Sequence, residues 1–167
     1  MSYVSDLRKL VGHIPLQLSG TGIVPWRKND SEVEVLLQLR RDFGKWGLFG
    51  GSIDLNESYE DCAIRELREE SGFKALEENL KLLKVYAGPQ HITIYPNGDI
   101  VYHTVVMYSV SAETLTPVEA GPVSSETKAI KWVSLTHLKS LLDEDAERHF
   151  FHNNIPIIKD IVERKFF

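Results

Sequence analysis

The chain has almost no cysteine and no long hydrophobic run. Cys62 is the single cysteine among 167 residues, which excludes a disulfide framework and a multi-thiolate metal site within one chain. No stretch approaches the roughly 18 apolar residues that a membrane span requires. The N-terminal segment MSYVSDLRKLVGHIPLQL is interrupted by charges, glycine and proline, so it lacks the apolar region of a signal peptide. We therefore expect a cytoplasmic protein with no membrane partner.

The chain also lacks an excess of positive charge. Lys and Arg total 19 against 24 Asp and Glu, which gives a formal net charge of −5. A module that binds duplex nucleic acid normally carries a basic face, so we expect no nucleic-acid partner. A negatively charged small molecule stays open as a substrate, because a bound divalent cation reverses the local charge.

What is present is the composition of one folded domain, which we place at residues 1–167. Hydrophobic residues make up 43% of the chain and charged residues 26%. Strand and helix patterns alternate irregularly, which favours an α/β (α+β) fold with a mixed sheet covered by helices. The predicted strands are 13–27 (broken near Gly20 and Gly22), 33–39, 80–95, 100–111 and 127–133. The predicted helices are 2–11, 58–71, 135–142 and one that opens at Asn154, and the glycine-rich segment 43–52 is predicted to be a loop.

The predicted helix 58–71 carries carboxylates where a helix disfavours them. At about 100° per residue, Glu66, Glu69 and Glu70 share one arc of roughly 100° near the negative end of the helix dipole. Arg65 precedes Glu69 by four residues and can pair with it, which would orient the carboxylate and offset part of the repulsion. One interpretation of the acids is a solvent-facing helix with ordinary ion pairs. The other is a cleft in which the carboxylates bind Mg²⁺ or Mn²⁺, because hard oxygen ligands select these ions. The acidic arc continues an apolar stripe formed by Tyr59, Cys62 and Ala63.

The glycine-rich segment before this helix favours the cleft. Residues 46–51 read Trp-Gly-Leu-Phe-Gly-Gly and lead, six residues later, to Glu57. Glycines let the backbone approach a ligand closely, and exposed carbonyls can ligate a cation. Together with the carboxylate helix, this loop is typical of a site for a diphosphate and a metal.

Residues 51–73, GSIDLNESYEDCAIRELREESGF, resemble the Nudix box. That motif is Gly, five residues, Glu, seven residues, Arg-Glu, an aliphatic residue, any residue, Glu-Glu, any residue, Gly and an apolar residue. Every specified position is filled here, by Gly51, Glu57, Arg65, Glu66, Leu67, Glu69, Glu70, Gly72 and Phe73. The order of the predicted strands and helices also resembles the Nudix fold, which is an α/β/α sandwich.

The resemblance implies a metal-dependent hydrolase of nucleoside diphosphate derivatives. It makes Glu66, Glu69 and Glu70 metal ligands, with the Gly50 carbonyl as an addition. Glu57 resembles the first acid of the box, which supports the metal shell or holds the loop. The chain departs from the commonest family loop in two places: Phe49 stands where proline usually lies, and Leu55-Asn56 replaces a frequent Pro-Gly.

The catalytic set implied by the resemblance is Arg65, Glu66, Glu69 and a general base. Arg65 resembles the arginine that orients the carboxylates. Some family members use a glutamate of the box as the base, which here is Glu66, and others use an acid on a loop outside it. Of the two acids before the last predicted strand, Glu119 and Glu126, we favour Glu126 because of its place at the start of the strand. The alternative is that both are surface acids.

The sequence leaves the substrate open. Pro89 lies 16 residues beyond Phe73, a spacing that resembles the ADP-ribose-hydrolysing branch, and residues 90–99 resemble bacterial proteins described as ADP-ribose pyrophosphatase-like or MutT-like. ADP-ribose or a nucleotide sugar is therefore the first hypothesis, and a MutT-like hydrolysis of (oxidised) nucleoside triphosphates is the second. The third is a catalytically silent nucleotide sensor. His91, Tyr95 and His103 are either half-buried strand residues or contacts to a base or sugar.

Three further expectations concern partners and the cofactor. A homodimer is plausible by analogy with the family. The small-molecule partner is a nucleoside diphosphate-linked compound, and the implied cofactor is Mg²⁺ or Mn²⁺.

Overall fold

Short strands and helices alternate along the chain in this computed structural model, which describes residues 3–119, 121, 124–164 and 166–167. The α-helices of the described residues are α1 (Tyr3–Val11), α2 (Tyr59–Ser71), α3 (Leu135–His149) and α4 (Ile155–Arg164). The strands are β1 (Leu16–Asn29), β2 (Glu32–Arg40), β3 (Trp46–Gly47), β4 (Phe49–Ser52), β5 (Phe73–Lys74), β6 (Lys81–Tyr86), β7 (Ile92–Ile94), β8 (Ile100–Ser111), β9 (Thr116–Pro117) and β10 (Thr127–Ser134). Among the described residues, no helix is both long enough and apolar enough to cross a bilayer.

The main sheet is mixed, as the sequence predicts. Its strand order is β10-β2-β1-β8-β6, with β3 paired to β2, β4 to β1 and β7 to β8. The central pair, β1 and β8, runs parallel over Leu16–Trp26, and the other pairs of this sheet are antiparallel. Strands β5 and β9 form a separate two-stranded sheet.

Helices cover both faces of the sheet, so the expected α/β/α sandwich is confirmed. One core cluster lies between the sheet and α2, where Ile23, Phe49 and Leu67 are buried. The other lies between the sheet and helices α3 and α4, and Leu138 and Ile158 are buried there. Burial of apolar surface on both faces of one sheet holds the three layers together.

Two predictions about glycine are wrong. Strand β1 runs unbroken through Gly20 and Gly22, and the segment 43–52 holds β3 and β4 instead of being all loop. The cause is a close approach of two strands, because a Cβ at Gly20 would lie 2.3 Å from the Gly51 carbonyl oxygen. Glycine is needed here for the packing of β4 on β1, and a strand with glycine for this reason looks like a loop in sequence.

Two other elements differ from their predicted bounds. The predicted strand 80–95 is divided into β6 and β7, because Gly88 takes a positive φ of 98° and ends the extended backbone. Helix α3 continues past the predicted end at residue 142 to His149, with non-helical angles at Asp145. The Oδ1 atom of Asp145 accepts a hydrogen bond from the Arg148 N–H at 3.1 Å, which starts the last turns.

Candidate active site

Helix α2 turns its acidic end toward β4. The helix starts after Ser58, whose Oγ caps the first turn, and ends at Gly72, which takes a φ of 77°. Glu70 is buried, and the Glu66 side chain is only 15% exposed. Glu69 lies on the flank, with its side chain 33% exposed. The predicted arc therefore faces the protein and not the solvent.

Arg65 connects the acids of this region. Its Nε and Nη2 atoms donate to the two carboxylate oxygens of Glu57 at 2.7 and 2.9 Å, and its Nη1 donates to Glu66 Oε1 at 2.6 Å. The same Nη1 atom lies 3.8 Å from Glu69 Oε2, so the predicted pair with Glu69 exists but is the longest of the three. Nη2 also donates to the Ser52 carbonyl at 3.2 Å, which ties the loop before the helix to the site.

Glu57 is placed to hold the loop. Besides its two bonds from Arg65, its Oε2 atom accepts the Asp54 N–H at 3.0 Å. The hydrogen bonds from Arg65 lower the pKa of Glu57, so this carboxylate is ionised at neutral pH. The resemblance gives Glu57 two roles, to support the metal shell or to hold the loop. The hydrogen bond from Asp54 corresponds to the second role.

Glu70 is the most buried acid of the site. It is 2% exposed, and its Oε2 atom accepts the Gly50 N–H at 2.9 Å. Burial raises the pKa of Glu70 to about 7, although bonds from Gln38 and Gly50 oppose that shift. A nearby cation would favour the ionised form of such a carboxylate.

Glu66 lies directly against the glycine loop. A Cβ at Gly51 would meet Glu66 Oε1 at 2.3 Å, so only glycine leaves room for this carboxylate. Burial raises the pKa of Glu66, and the negative charges of Glu69 and Glu126 add to the effect, whereas Arg65 opposes it. Like charges that raise the pKa of a half-buried acid are typical of a functional site.

Glu126 lies close enough to Glu66 for its charge to act on that carboxyl group. The Ser124 N–H donates to the Glu69 carbonyl at 2.9 Å, and the Ser124 Oγ accepts the Glu126 N–H at 3.0 Å, so the segment is fixed to the end of α2. Glu126 is exposed and lines the same cavity as Glu66. Glu119 does not line that cavity.

The carboxylates fit a hard divalent cation by their chemistry. Glu66, Glu69 and Glu70 offer only oxygen atoms, and two of them are partly desolvated acids with raised pKa values. Arg65 and the Gly50 N–H donate hydrogen bonds to oxygens of Glu66 and Glu70. Among the described residues, no three His, Cys, Asp or Glu side chains are arranged so that they could hold a metal ion together.

A cavity of about 430 Å³ is lined by Glu66 and Glu126 and by residues of β1, β4, β7 and β8. The volume lies in the usual range for small-molecule sites. Its wall includes Arg65, Glu66 and Glu126 at the acidic part and His91, Tyr95 and His103, the three residues for which the sequence left a ligand contact open. Sequence reasoning missed several further wall residues, namely Arg40, Asp42, Thr93, Phe151, Asn153 and Asn154.

The departures from the commonest family loop have local explanations. Phe49 is 1% exposed and packs in the core beneath α2, so its side chain anchors the loop by burial. Asn56 takes a φ of 64°, a left-handed conformation that asparagine tolerates better than most residues. The tight turn therefore forms without the usual glycine.

Cys62 is unsuited to nucleophilic chemistry. It is fully buried on α2, and its sulfur accepts a hydrogen bond from the Thr21 hydroxyl at 3.3 Å. Burial raises the pKa of the Cys62 thiol to about 11, so the thiolate is scarce at neutral pH.

Comparison with known proteins agrees with the motif. The model of the NUDIX domain family matches residues 17–153. A Bacillus subtilis (strain 168) protein with the provisional name 8-oxo-dGTP diphosphatase is 30% identical over 106 residues, which are 64% of this chain and 60% of that protein.

Solved structures share the fold. The NUDIX domain of Shewanella oneidensis NrtR, solved with ADP ribose, has a TM-score of 0.62 and 21% identity over 99% of both chains. A MutT/nudix family protein from Enterococcus faecalis has a TM-score of 0.55 and 23% identity over 80% of this chain and 51% of its own. The chain therefore spans only about half to three fifths of the length of two of these relatives.

Proposed function

The chain belongs to the NUDIX domain family, and from that premise we propose that it is a metal-dependent pyrophosphohydrolase of nucleoside diphosphate derivatives. The observation that carries the proposal is the group of partly buried carboxylates around Arg65, of which Glu66 lines a ligand-sized cavity together with Arg65 itself. Desolvating several carboxylates costs stability, and a bound cation would offset the part of that cost that Arg65 does not. The proposal treats residues 1–167 as one domain.

The box residues are assigned as follows. Glu66, Glu69 and Glu70 hold Mg²⁺ or Mn²⁺, with Glu57 and the Gly50 carbonyl in support, and Arg65 orients Glu57 and Glu66 through its hydrogen bonds. The cation, when bound, neutralises the diphosphate and lowers the pKa of a water.

We assign the general base to Glu126. Glu66 is clamped by Arg65 at 2.6 Å, whereas Glu126 is exposed and lines the cavity. A carboxylate that faces open cavity can accept the proton of the attacking water. The Glu126→Gln variant should lose kcat about 100-fold or more, and Glu119→Gln should change it little.

The substrate proposed first is ADP-ribose or a nucleotide sugar. The cavity of about 430 Å³ suits a compound of this size, and the related Shewanella oneidensis domain has been solved with ADP ribose. The second candidate is an (oxidised) nucleoside triphosphate, which the name of the Bacillus subtilis relative favours. Release of nucleoside monophosphate with a sugar phosphate would indicate the first class, and release of pyrophosphate the second.

The remaining expectations stay proposals. We propose a cytoplasmic protein without nucleic-acid or membrane partners, and a homodimer is retained as a hypothesis. A silent nucleotide sensor is disfavoured because all the specified acids of the box are present.

To test the proposed hydrolysis, the purified protein is incubated with Mg²⁺ and one of four classes of compound: ADP-ribose, nucleotide sugars, diadenosine polyphosphates or (oxidised) nucleoside triphosphates. The products are then separated by chromatography. Metal-dependent cleavage of one class that falls at least 100-fold in Glu70→Gln supports the proposal. Absence of turnover across the panel, with tight nucleotide binding retained, would favour the sensor instead.

A further inference from the structure

A polar side chain is fully buried in the middle of strand β2. Gln38 is 0% exposed and stands between Leu37 and Leu39 in a run of apolar residues. Burial of an amide costs stability unless its polar atoms are hydrogen-bonded. Gln38 does not line the cavity, so any effect that it has on a ligand there must pass through other residues.

The amide of Gln38 makes hydrogen bonds on two sides. Its Nε2 atom donates to the Leu48 carbonyl oxygen at 3.1 Å, and its Oε1 atom accepts a bond from the Thr127 hydroxyl at 2.6 Å. Because a carbonyl oxygen can only accept, the nitrogen of the amide must face Leu48, which leaves the oxygen for Thr127. The Gln38 side chain also donates to Glu70. One residue therefore joins the glycine loop and a buried acid to the start of β10.

The bond to Leu48 leads to the acids of α2. Two residues after Leu48, the Gly50 N–H donates to Glu70 Oε2 at 2.9 Å. A displacement of the Leu48 carbonyl would move this N–H as well, because only Phe49 separates the two residues along the chain. Gln38 therefore helps to hold the carboxylate of Glu70 in place, both directly and through the glycine loop.

The bond to Thr127 leads to Glu126, the residue before it. Strand β10 lies at the edge of the main sheet, and its pairing with β2 is irregular between Thr127 and Ala129. Such a bulge interrupts the regular ladder, so the ladder alone does not fix where the strand begins. The Arg41 N–H holds the Glu126 carbonyl at 2.7 Å, but this contact ties the segment to β2 and not to the glycine loop. The Thr127 hydroxyl ties it to Gln38, and through Gln38 to that loop.

We propose that Gln38 is a positioning residue that holds Glu126 in a fixed place relative to the acids of α2, by joining Thr127 to the Leu48 carbonyl. A general base acts only within hydrogen-bond reach of the proton that it removes, so a small displacement of Glu126 lowers kcat. Substrate binding does not depend on that reach, so KM is left nearly unchanged. The inference rests on the proposed function, because it assumes that Glu126 accepts a proton during hydrolysis.

The Thr127→Val variant tests the link at its outer end. Valine has the shape of threonine without the hydroxyl, so Gln38 keeps its bonds to Leu48 and Glu70. We expect kcat to fall about tenfold and KM to change by less than about twofold, as for residues that orient others in a site. Steady-state kinetics are measured with Mg²⁺ and ADP-ribose, and with every other compound of the panel that the wild type cleaves.

Two matched variants serve as controls. Thr127→Ser keeps the hydroxyl, so its kcat should lie within about threefold of the wild type. Thr104→Val removes a comparable bond outside the cavity, in which the Thr104 hydroxyl accepts the Gln17 Nε2 N–H at 3.1 Å, and it should leave kcat unchanged. An equal loss of kcat in Thr127→Ser and Thr127→Val, or no loss in Thr127→Val, overturns the proposal.

Mn²⁺ binding, followed by electron paramagnetic resonance of the free ion, gives a measurement that needs no turnover. Methionine has nearly the length of glutamine and no N–H group, so Gln38→Met releases both the Leu48 carbonyl and Glu70. We expect its Kd for Mn²⁺ to rise about tenfold, whereas Thr127→Val should stay within about twofold of the wild type. Equal weakening in the two variants would show a general loosening of the site and contradict the proposal, as would unchanged binding in Gln38→Met. Thermal unfolding checks that each variant is folded, and if Gln38→Met is not, the two Thr127 variants decide.

The two proposals fail separately. No hydrolysis by the wild type, together with faster amide hydrogen exchange of the segment 124–128 in both Gln38→Met and Thr127→Val, would reject the enzyme and leave the link standing. Metal-dependent hydrolysis with an unchanged kcat in Thr127→Val would reject the positioning role and leave the enzyme.

Discussion

At the scale of single residues, Arg65 resolves the conflict that makes the sequence of α2 unusual. Three acids in the last turns of a helix repel one another and the helix dipole. One guanidinium satisfies both oxygens of Glu57 and one oxygen of Glu66, and it stands within 3.8 Å of Glu69. The guanidinium group is planar and always charged, and its N–H donors point in fixed directions. It can therefore bond several carboxylate oxygens at once, which a lysine ammonium group cannot do in the same geometry.

The Arg65→Lys variant tests that role. A lysine keeps the charge but cannot bond Glu57 through two nitrogens and Glu66 through a third, so we expect kcat to fall about 10- to 100-fold, as for residues that orient metal ligands. Steady-state kinetics at saturating Mg²⁺ give the measurement. Arg68→Lys is the matched control, because Arg68 lies on the exposed side of the same helix. Equal activity of the two variants would show that positive charge alone suffices at residue 65.

Sequence reasoning found the residues of the acidic site because they lie within one short stretch at fixed spacing. It did not find Thr93, Asn153 or Arg40, because these come from β7, the turn before α4 and β2, and meet only in the folded chain. An isolated asparagine or threonine in a sequence gives no sign of such a meeting. His91 and His103 were open to either interpretation for the same reason.

At the scale of elements, the approach of β4 to β1 positions the glycine loop against α2. Gly20 pairs with Ser52 and Gly22 with Gly50, so the loop is one edge of the sheet and not a free turn. Glycine content predicted a loop in this segment, because a pattern of residue types does not reveal that the backbone needs the space. The hydrophobic pattern predicted β2, α2 and β8 well, since each of them buries one face against the core.

Two alanine substitutions in β1 measure how much this approach matters. A Cβ at Gly20 would lie 2.3 Å from the Gly51 carbonyl oxygen, whereas a Cβ at Gly22 would meet the flexible Met107 Sδ at 2.6 Å. The Gly51 carbonyl is part of the backbone and cannot move aside as easily as the Met107 side chain. We therefore expect Gly20→Ala to lose about 3 kcal/mol of unfolding free energy and Gly22→Ala about 1 kcal/mol. Urea unfolding compares the two variants with the wild type. A loss at Gly22 as large as that at Gly20 would contradict the explanation.

At the scale of the whole molecule, charge is distributed unevenly around one cavity. Acids and Arg65 form one part of its wall, and neutral histidines and amides form another. This arrangement divides the cavity into a charged part and an uncharged part. It also links the stability of the fold to pH, because the histidines that remain neutral in the folded state are protonated more readily in the unfolded chain.

His103 allows that link to be measured. Burial lowers its pKa from 6.5 to about 4, with smaller contributions from His91 and His152. Between these two pH values the unfolded state binds more protons, so the stabilising contribution is complete above pH 6.5 and is lost as the pH falls toward 4. From pH 7 to 4.5, we expect the wild type to lose about 2 kcal/mol more unfolding free energy than His103→Gln, which has no titrating group there. Urea unfolding at several pH values gives both curves, with His137→Gln as the exposed control. Parallel curves for the wild type and His103→Gln would show that this histidine is not held neutral by burial.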